Sequence, residues 1–158
     1  MLQRIQTIFL LVVAIAGILL FFFPLANYYN EIQGNYKFYI WGIRCMDPEP
    51  KVAFSNFFTI PLIFLAVVSV IFTVSTIFLF KNRPLQIRIC AFNVLANIVL
   101  IMVVFFFYAT RIKTMTLTEP DYNITGMVLP LISLAFLVLA TRAIRKDDSL
   151  VKSSDRLR

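Results

Sequence analysis

The chain has 158 residues, of which 60% are hydrophobic and 15% charged, and its mean hydropathy is +0.85. A soluble domain holds about 45–50% apolar residues, so the excess calls for an apolar solvent. The formal net charge of +7 would point to nucleic acid in a soluble protein; here it reads as the basic bias of a membrane protein's inner loops, and no nucleic-acid partner is expected.

The first apolar run is Ile5–Pro24, preceded by Arg4. A cleaved leader with Pro24-Leu25-Ala26 as a weak small-residue site competes with an uncleaved span. The apolar core exceeds the usual 7–15 or so residues of a leader, which favours the span. Pro24 is expected to end it.

Asn27–Ser55 is the longest polar segment. Tyr36–Arg44, YKFYIWGIR, has the aromatic and β-branched content of a strand, and Gln33-Gly34-Asn35 supplies turn chemistry, so Tyr28–Ile32 and Tyr36–Ile43 are expected to pair as a hairpin. Tyr36, Tyr39 and Trp41 are the candidate residues of this outer cap. The second run, Phe57–Phe80, opens with Ser55-Asn56 as caps and carries Pro61 early, where proline is tolerated. Ser69, Thr73 and Thr76 then fall at i, i+4, i+7 on one helical face.

The basic turn Lys81–Arg88, KNRPLQIR, joins this run to Ile89–Tyr108, and neither run contains a charged residue. About 20 apolar residues at about 1.5 Å each cross a hydrocarbon core roughly 30 Å thick, so the two form a helical hairpin whose positive turn faces the cytoplasm. In the third run Cys90, Asn93 and Asn97 repeat the one-face spacing, and amides in lipid need partners. The two stripes are expected to meet near the basic turn, as a helix-packing cluster or, more sharply, as a small-ligand site.

In the second outside loop Lys113–Thr118, KTMTLT, alternates like a half-exposed strand. Asn123-Ile124-Thr125 matches a glycosylation sequon but lies against the next run, Gly126–Ile144, and is discounted. The tail Arg145–Arg158 is polar, and a helix continuing into it is expected. Its Arg145, Lys146, Lys152, Asp155, Arg156 and Arg158 are candidate contacts for lipid headgroups or a protein partner.

With both termini inside, ten basic and three acidic residues lie on the cytoplasmic side and five of each outside, so the whole net charge falls on one face. The expected fold is all-α: a four-helix transmembrane bundle, spans about 5–25, 57–80, 87–109 and 126–144, with outside loops 26–56 and 110–125, a cytoplasmic turn 81–86 and a tail 145–158. A small extracytoplasmic antiparallel β-sheet, made by the two loops, caps it.

The chemistry needed for catalysis is sparse. Histidine is absent, Cys45 and Cys90 lie in segments of different character, and no Asp, Glu or Lys lies inside a predicted span. No disulfide, metal, cofactor, proton relay or nucleophile–base pair is expected, and the chain reads as a non-enzyme.

The opening Leu2-Gln3-Arg4-Ile5-Gln6-Thr7-Ile8 and the closing segment Ala143–Arg158, AIRKDDSLVKSSDRLR, resemble a family of small bacterial inner-membrane proteins, domain of unknown function 4293, found in Bacteroidota. The resemblance covers the whole length in its four-span layout and implies a cytoplasmic-membrane location, with no activity to carry over. It also implies interest in Asp155-Arg156-Leu157-Arg158 as a contact. Trp41-Gly42-Ile43-Arg44-Cys45 is similar to the first loop of claudin-like tetraspan proteins, although that loop has a cysteine pair and here only Cys45 is present.

The function expected is an accessory or scaffold subunit of a membrane complex, with membrane lipids and a membrane-protein partner. The alternative is a small-molecule or lipid-binding transporter component using the polar patch between the second and third spans. A pore by self-association is weakened by the lack of charges to line it.

Overall fold

The computed structural model describes residues 2–30, 34–48, 52, 54–55, 57–80 and 82–156, with side chains described within 5–151. The order is α1 (Leu2–Leu19), β1 (Ala26–Tyr28), β2 (Tyr36–Tyr39), β3 (Gly42–Cys45), α2 (Ile60–Phe78), α3 (Arg83–Met102), a π-helical segment (Val103–Tyr108), α4 (Ala109–Thr116), β4 (Asp121–Tyr122) and α5 (Ile124–Arg156). From α3 through α4 the chain is one continuous rod, Arg83–Thr116. Packing joins α1 to α2, α2 to α3, α3 to α5 and α5 back to α1, which closes a ring of four helices. All four strands sit at the bundle end opposite the termini.

Among the described residues, three helices are long and apolar enough to cross a membrane: Ile60–Phe78, Arg83–Thr116 and Ile124–Val151. The fourth, α1, is apolar from Ile5 to Leu19 and shorter. The polarity of the bundle is inverted relative to a water-soluble one. Phe64, Phe78, Phe92 and Phe106 are 62% to 75% exposed, whereas Thr73 and Asn93 are fully buried.

The helix ends differ from the sequence expectation. Helical geometry in α1 stops at Leu19, five residues before Pro24, and tightens through Phe21 N to Ile18 O (3.1 Å) and Phe22 N to Leu19 O (2.9 Å). The reason lies downstream, where Leu25 N donates to Phe38 O at 2.7 Å and draws the chain into the sheet. At α2 the N-cap is Thr59 rather than Ser55 or Asn56; Ser55 closes a separate turn by accepting Phe58 N at 2.9 Å. Asn56 lies outside the described residues. Pro61 occupies the first helical turn, where its missing N–H has no partner to lose.

The sheet is antiparallel in the order β3-β2-β1-β4. It corrects the expected strands in two places. Tyr36–Ile43 is not one strand: the chain turns at Ile40-Trp41, so β3 folds back on β2 with Tyr39 opposite Gly42. β1 also starts earlier, pairing Ala26 with Phe38 and Tyr28 with Tyr36, while Glu31–Gln33 lie outside the described residues.

The second loop contributes Asp121–Tyr122 to the sheet, and Lys113–Thr118 is not a strand. That segment is helical to Thr116, because Ile112 and Thr116, four apart, are both fully buried beneath the cap. Leu117 ends the helix in the left-handed region at φ 52. Asn30 completes the end by donating to Thr116 O (3.0 Å) and Thr118 Oγ1 (2.9 Å).

Asn123 N-caps α5: its Oδ1 accepts Thr125 N at 3.0 Å. The helix then passes through Pro130 and continues to Arg156, so the described part of the polar tail is helical as expected. At about 1.5 Å per residue its 33 residues run about 50 Å, well beyond a hydrocarbon core of about 30 Å.

Candidate functional site

The two polar stripes meet face to face between α2 and α3. Ser69 Oγ donates to Asn93 Oδ1 at 2.8 Å, and Asn93 Nδ2 donates to Thr73 Oγ1 at 2.8 Å. Asn97 Nδ2 donates to Ser69 Oγ at 2.7 Å and lies 3.4 Å from Asn93 Oδ1. Thr73 Oγ1 in turn donates to Ser69 O at 2.9 Å. The Ser69 and Thr73 hydroxyls therefore each accept and donate, and both the oxygen and the nitrogen of the Asn93 amide are engaged.

Thr76 and Cys90 extend the seam toward the basic turn. Thr76 Oγ1 donates to Phe72 O at 2.7 Å, and Cys90 is a fully buried free thiol packed with Leu10, Val13 and Leu137. All six predicted residues share one buried seam.

Gln86 belongs to the same seam: it is buried, and its Nε2 donates to Thr76 O at 3.0 Å. Its signal was present in the spacing 86, 90, 93, 97, one α-helical face that begins inside the supposed turn. The other two walls add Gln6 from α1 and Ser133 and Thr141 from α5, all buried. The Gln6 Nε2 is buried without a hydrogen-bond partner.

Beside Asn97, Ser69 and Gly17 the bundle leaves a cavity of about 10 Å³. This is at the lower limit for a single water molecule. The seam is thus a packed hydrogen-bond network rather than a vestibule, and none of its groups ionises at neutral pH. Among the described residues no cluster of three or more His, Cys, Asp or Glu could hold a metal ion.

The three cap candidates do not form one patch. Strand alternation turns Tyr36 into the core, where its hydroxyl accepts Val52 N at 3.0 Å. Tyr39 and Trp41 stack on the outer side at 5.1 Å, Trp41 Nε1 donates to Phe21 O at 3.1 Å, and Arg44 lies 5.7 Å from the Trp41 ring centre. A groove of about 220 Å³ opens between Trp41, Phe54, Phe58 and Thr59. Under the sheet, Tyr28 is fully buried with its hydroxyl 3.5 Å from Ala109 O; burial, and secondarily Tyr122, push its phenol well above the ordinary value.

Of the tail candidates, Arg145 and Lys146 are exposed on α5. Lys152, Asp155 and Arg156 lie on its backbone with side chains beyond those described, and Arg158 lies outside the described residues. The tail is tied to the basic turn by Arg83, which pairs with Asp147 Oδ2 at 3.2 Å and donates to Asp147 O at 3.2 Å. A second groove, of about 250 Å³, lies between α3 and α5 and is bounded by Arg142 and Arg145.

With this geometry in place, the family comparison is decisive. The model of the family described as Domain of unknown function (DUF4293) matches residues 2–157. The chain belongs to this family. No curated protein and no solved structure matches it. A DUF4293 chain thus combines a ring of four helices, an internally bonded seam and a small sheet at one end.

Proposed function

We propose that this DUF4293 chain is a non-enzymatic, multi-pass protein of the bacterial cytoplasmic membrane that serves as an accessory or scaffold subunit of a membrane complex. The observation that carries the reading is α5. Its last buried side chain among those described is Ile144, yet the helix runs on to Arg156 with Leu150 and Val151 49% and 40% exposed. A charged helix carrying exposed apolar residues beyond the bundle suits docking to another protein.

The apolar exterior and polar interior support placement in lipid, and the basic excess at the end holding both termini supports a cytoplasmic orientation. The likeness to claudin-like bundles is one of layout, and Cys45 here is a free thiol. A ligand site within the seam is the competing reading; the engaged amides and the 10 Å³ cavity weigh against it.

The test is purification of the full chain from native membranes in a mild detergent, with mass spectrometry of what accompanies it, beside a variant lacking Ser149–Arg158. A stoichiometric protein partner, lost in the truncated chain while membrane insertion persists, is the expected result. Equal partner recovery from both chains would overturn the tail-docking reading.

A further inference from the structure

The groove between α3 and α5 has two chemically distinct parts. Ala91, Val94 and Val138 give it apolar walls, and Thr141, Arg142 and Arg145 close the end nearest the termini. Arg88 lies one turn before Ala91 on the same face of α3, and it too is exposed. The Arg83–Asp147 pair joins the same two helices and sets them antiparallel in a register that brings position 88 level with 142. Three arginines therefore gather at one level of the bundle.

Among the described residues, none of the three forms an ion pair. Their level is also informative. Arg142 lies 16 residues beyond Gly126, or about 24 Å along the helix, so it stands near the border between hydrocarbon and headgroups. Guanidinium groups left without counter-charge at that border suit a phosphate, which their planar fork can grip through two hydrogen bonds. The apolar walls suit an acyl chain, and basic pockets between membrane helices commonly take anionic lipids.

We propose that this groove is a binding site for an anionic phospholipid, with the phosphate held by Arg142 and Arg145 and one acyl chain lying along Ala91, Val94 and Val138. A free phosphate would use the arginines alone and leave the apolar walls uncovered. The site is separate from the tail docking proposed above, because removal of Ser149–Arg158 leaves every one of its residues in place.

The experiment is native mass spectrometry of the full chain in detergent, offered phosphatidylglycerol or phosphatidylcholine with matched acyl chains. One phosphatidylglycerol should be retained at least about tenfold better than phosphatidylcholine, a ratio equivalent to about 1.4 kcal/mol. Arg142→Gln with Arg145→Gln should abolish the preference. Val138→Trp, which fills the groove and keeps both charges, should reduce retention of both lipids, and it decides the matter if the arginine variant does not fold.

Equal retention of the two lipids by the native chain would overturn the proposal. So would undiminished phosphatidylglycerol binding in Val138→Trp, which would mean a diffuse basic surface. Displacement of the lipid by millimolar inorganic phosphate would reassign the site to a free anion.

Discussion

The two halves of the bundle are held together by different chemistry. Near the basic turn, α2 and α3 meet through amides and hydroxyls at 2.7–2.8 Å. Near the sheet, aromatic rings do the joining: Phe38 stacks on Tyr108 at 5.6 Å, Phe58 and Tyr108 meet edge to face at 5.0 Å, and the Tyr108 hydroxyl donates to Phe58 O at 2.7 Å. Under the membrane placement proposed above, the contrast follows from the solvent. Lipid tails are as apolar as leucine, so apolar contact alone gives helices in lipid little reason to choose one partner; hydrogen bonds and close packing supply the choice. At the sheet end water returns, and burying Tyr28, Tyr36, Phe38 and Ile40 becomes favourable in its own right.

The π-helical segment lies at the junction of the two regimes. Buried positions on the rod step 86, 90, 93, 97, 100, 104 and then 108, 112, 116, with Ala109 buried beside Tyr108. Repeated steps of four would drift around an ordinary α-helix. The wider turn, with Ala109 N bonded back to Val104 O, absorbs the extra residue and keeps Tyr108 and Ile112 facing the cap.

The largest expected effect breaks the cap side. A Cβ on Gly126 would overlap Pro24 O and come within 3.1 Å of the Leu25 Cα, both backbone atoms that cannot rotate away. Gly126→Ala should therefore lift α5 from the turn that leads into β1 and destabilise the fold by about 3 kcal/mol or more. Denaturation in mixed micelles measures it, and a change below 1 kcal/mol would mean that this junction is soft.

On the seam side, Asn93→Leu keeps the approximate shape and removes bonds to Ser69, Thr73 and Asn97. Individual hydrogen bonds in membrane bundles average about 0.6 kcal/mol, and stranded partners add to the loss, so about 2 kcal/mol is expected. Adding Ser69→Ala should then cost less than Ser69→Ala does in the native chain, because the Ser69–Asn93 bond is already gone and only the bond from Asn97 is left to lose. A double variant as unstable as the sum of the singles would show that the seam is not a coupled network.

How much of this contrast could be read in advance follows the same physics. The seam was legible because a polar residue in an apolar run is conspicuous and its helical spacing names its face; Gln86 escaped only because the helix starts at Arg83, deeper in the basic turn than composition suggests. The cap was legible as a sheet and not in its strands. Lys113–Thr118 alternates in polarity as a strand does, but burial of Ile112 and Thr116 by the sheet above them selects helix, and that contact is tertiary. The stop of α1 at Leu19 likewise depends on Phe38 O, a partner 13 residues beyond Leu25.

A pH titration sharpens the cap side further. Burial raises the Tyr28 phenol above its ordinary value of about 10, so the folded state keeps a proton that the unfolded chain releases. Its contribution is complete below about pH 10 and declines as pH rises, with a limiting slope of about 1.4 kcal/mol per pH unit. Tyr28→Phe should flatten the loss between pH 10 and 11; an unchanged slope would assign it to other tyrosines. Asn93→Leu removes no titrating group, so it should shift the whole curve without altering its slope.

The smallest effect is expected where neither regime applies. Arg83 and Asp147 join α3 to the extended part of α5, and their side chains keep 24% and 15% of their surface exposed. An ion pair so placed is screened and fixes two flexible side chains, which limits it to about 0.5–1 kcal/mol. Arg83→Ala should therefore barely move global stability in the assay that registers Asn93→Leu. It should instead speed amide exchange beyond Ile144, where α5 has no buried side chain among those described and Arg83 both pairs with the Asp147 carboxylate and bonds its carbonyl. If exchange there is unchanged while global stability falls by 2 kcal/mol, the pair belongs to the bundle proper, and the division between a bonded seam, an aromatic cap and a projecting helix would have to be redrawn at Asp147.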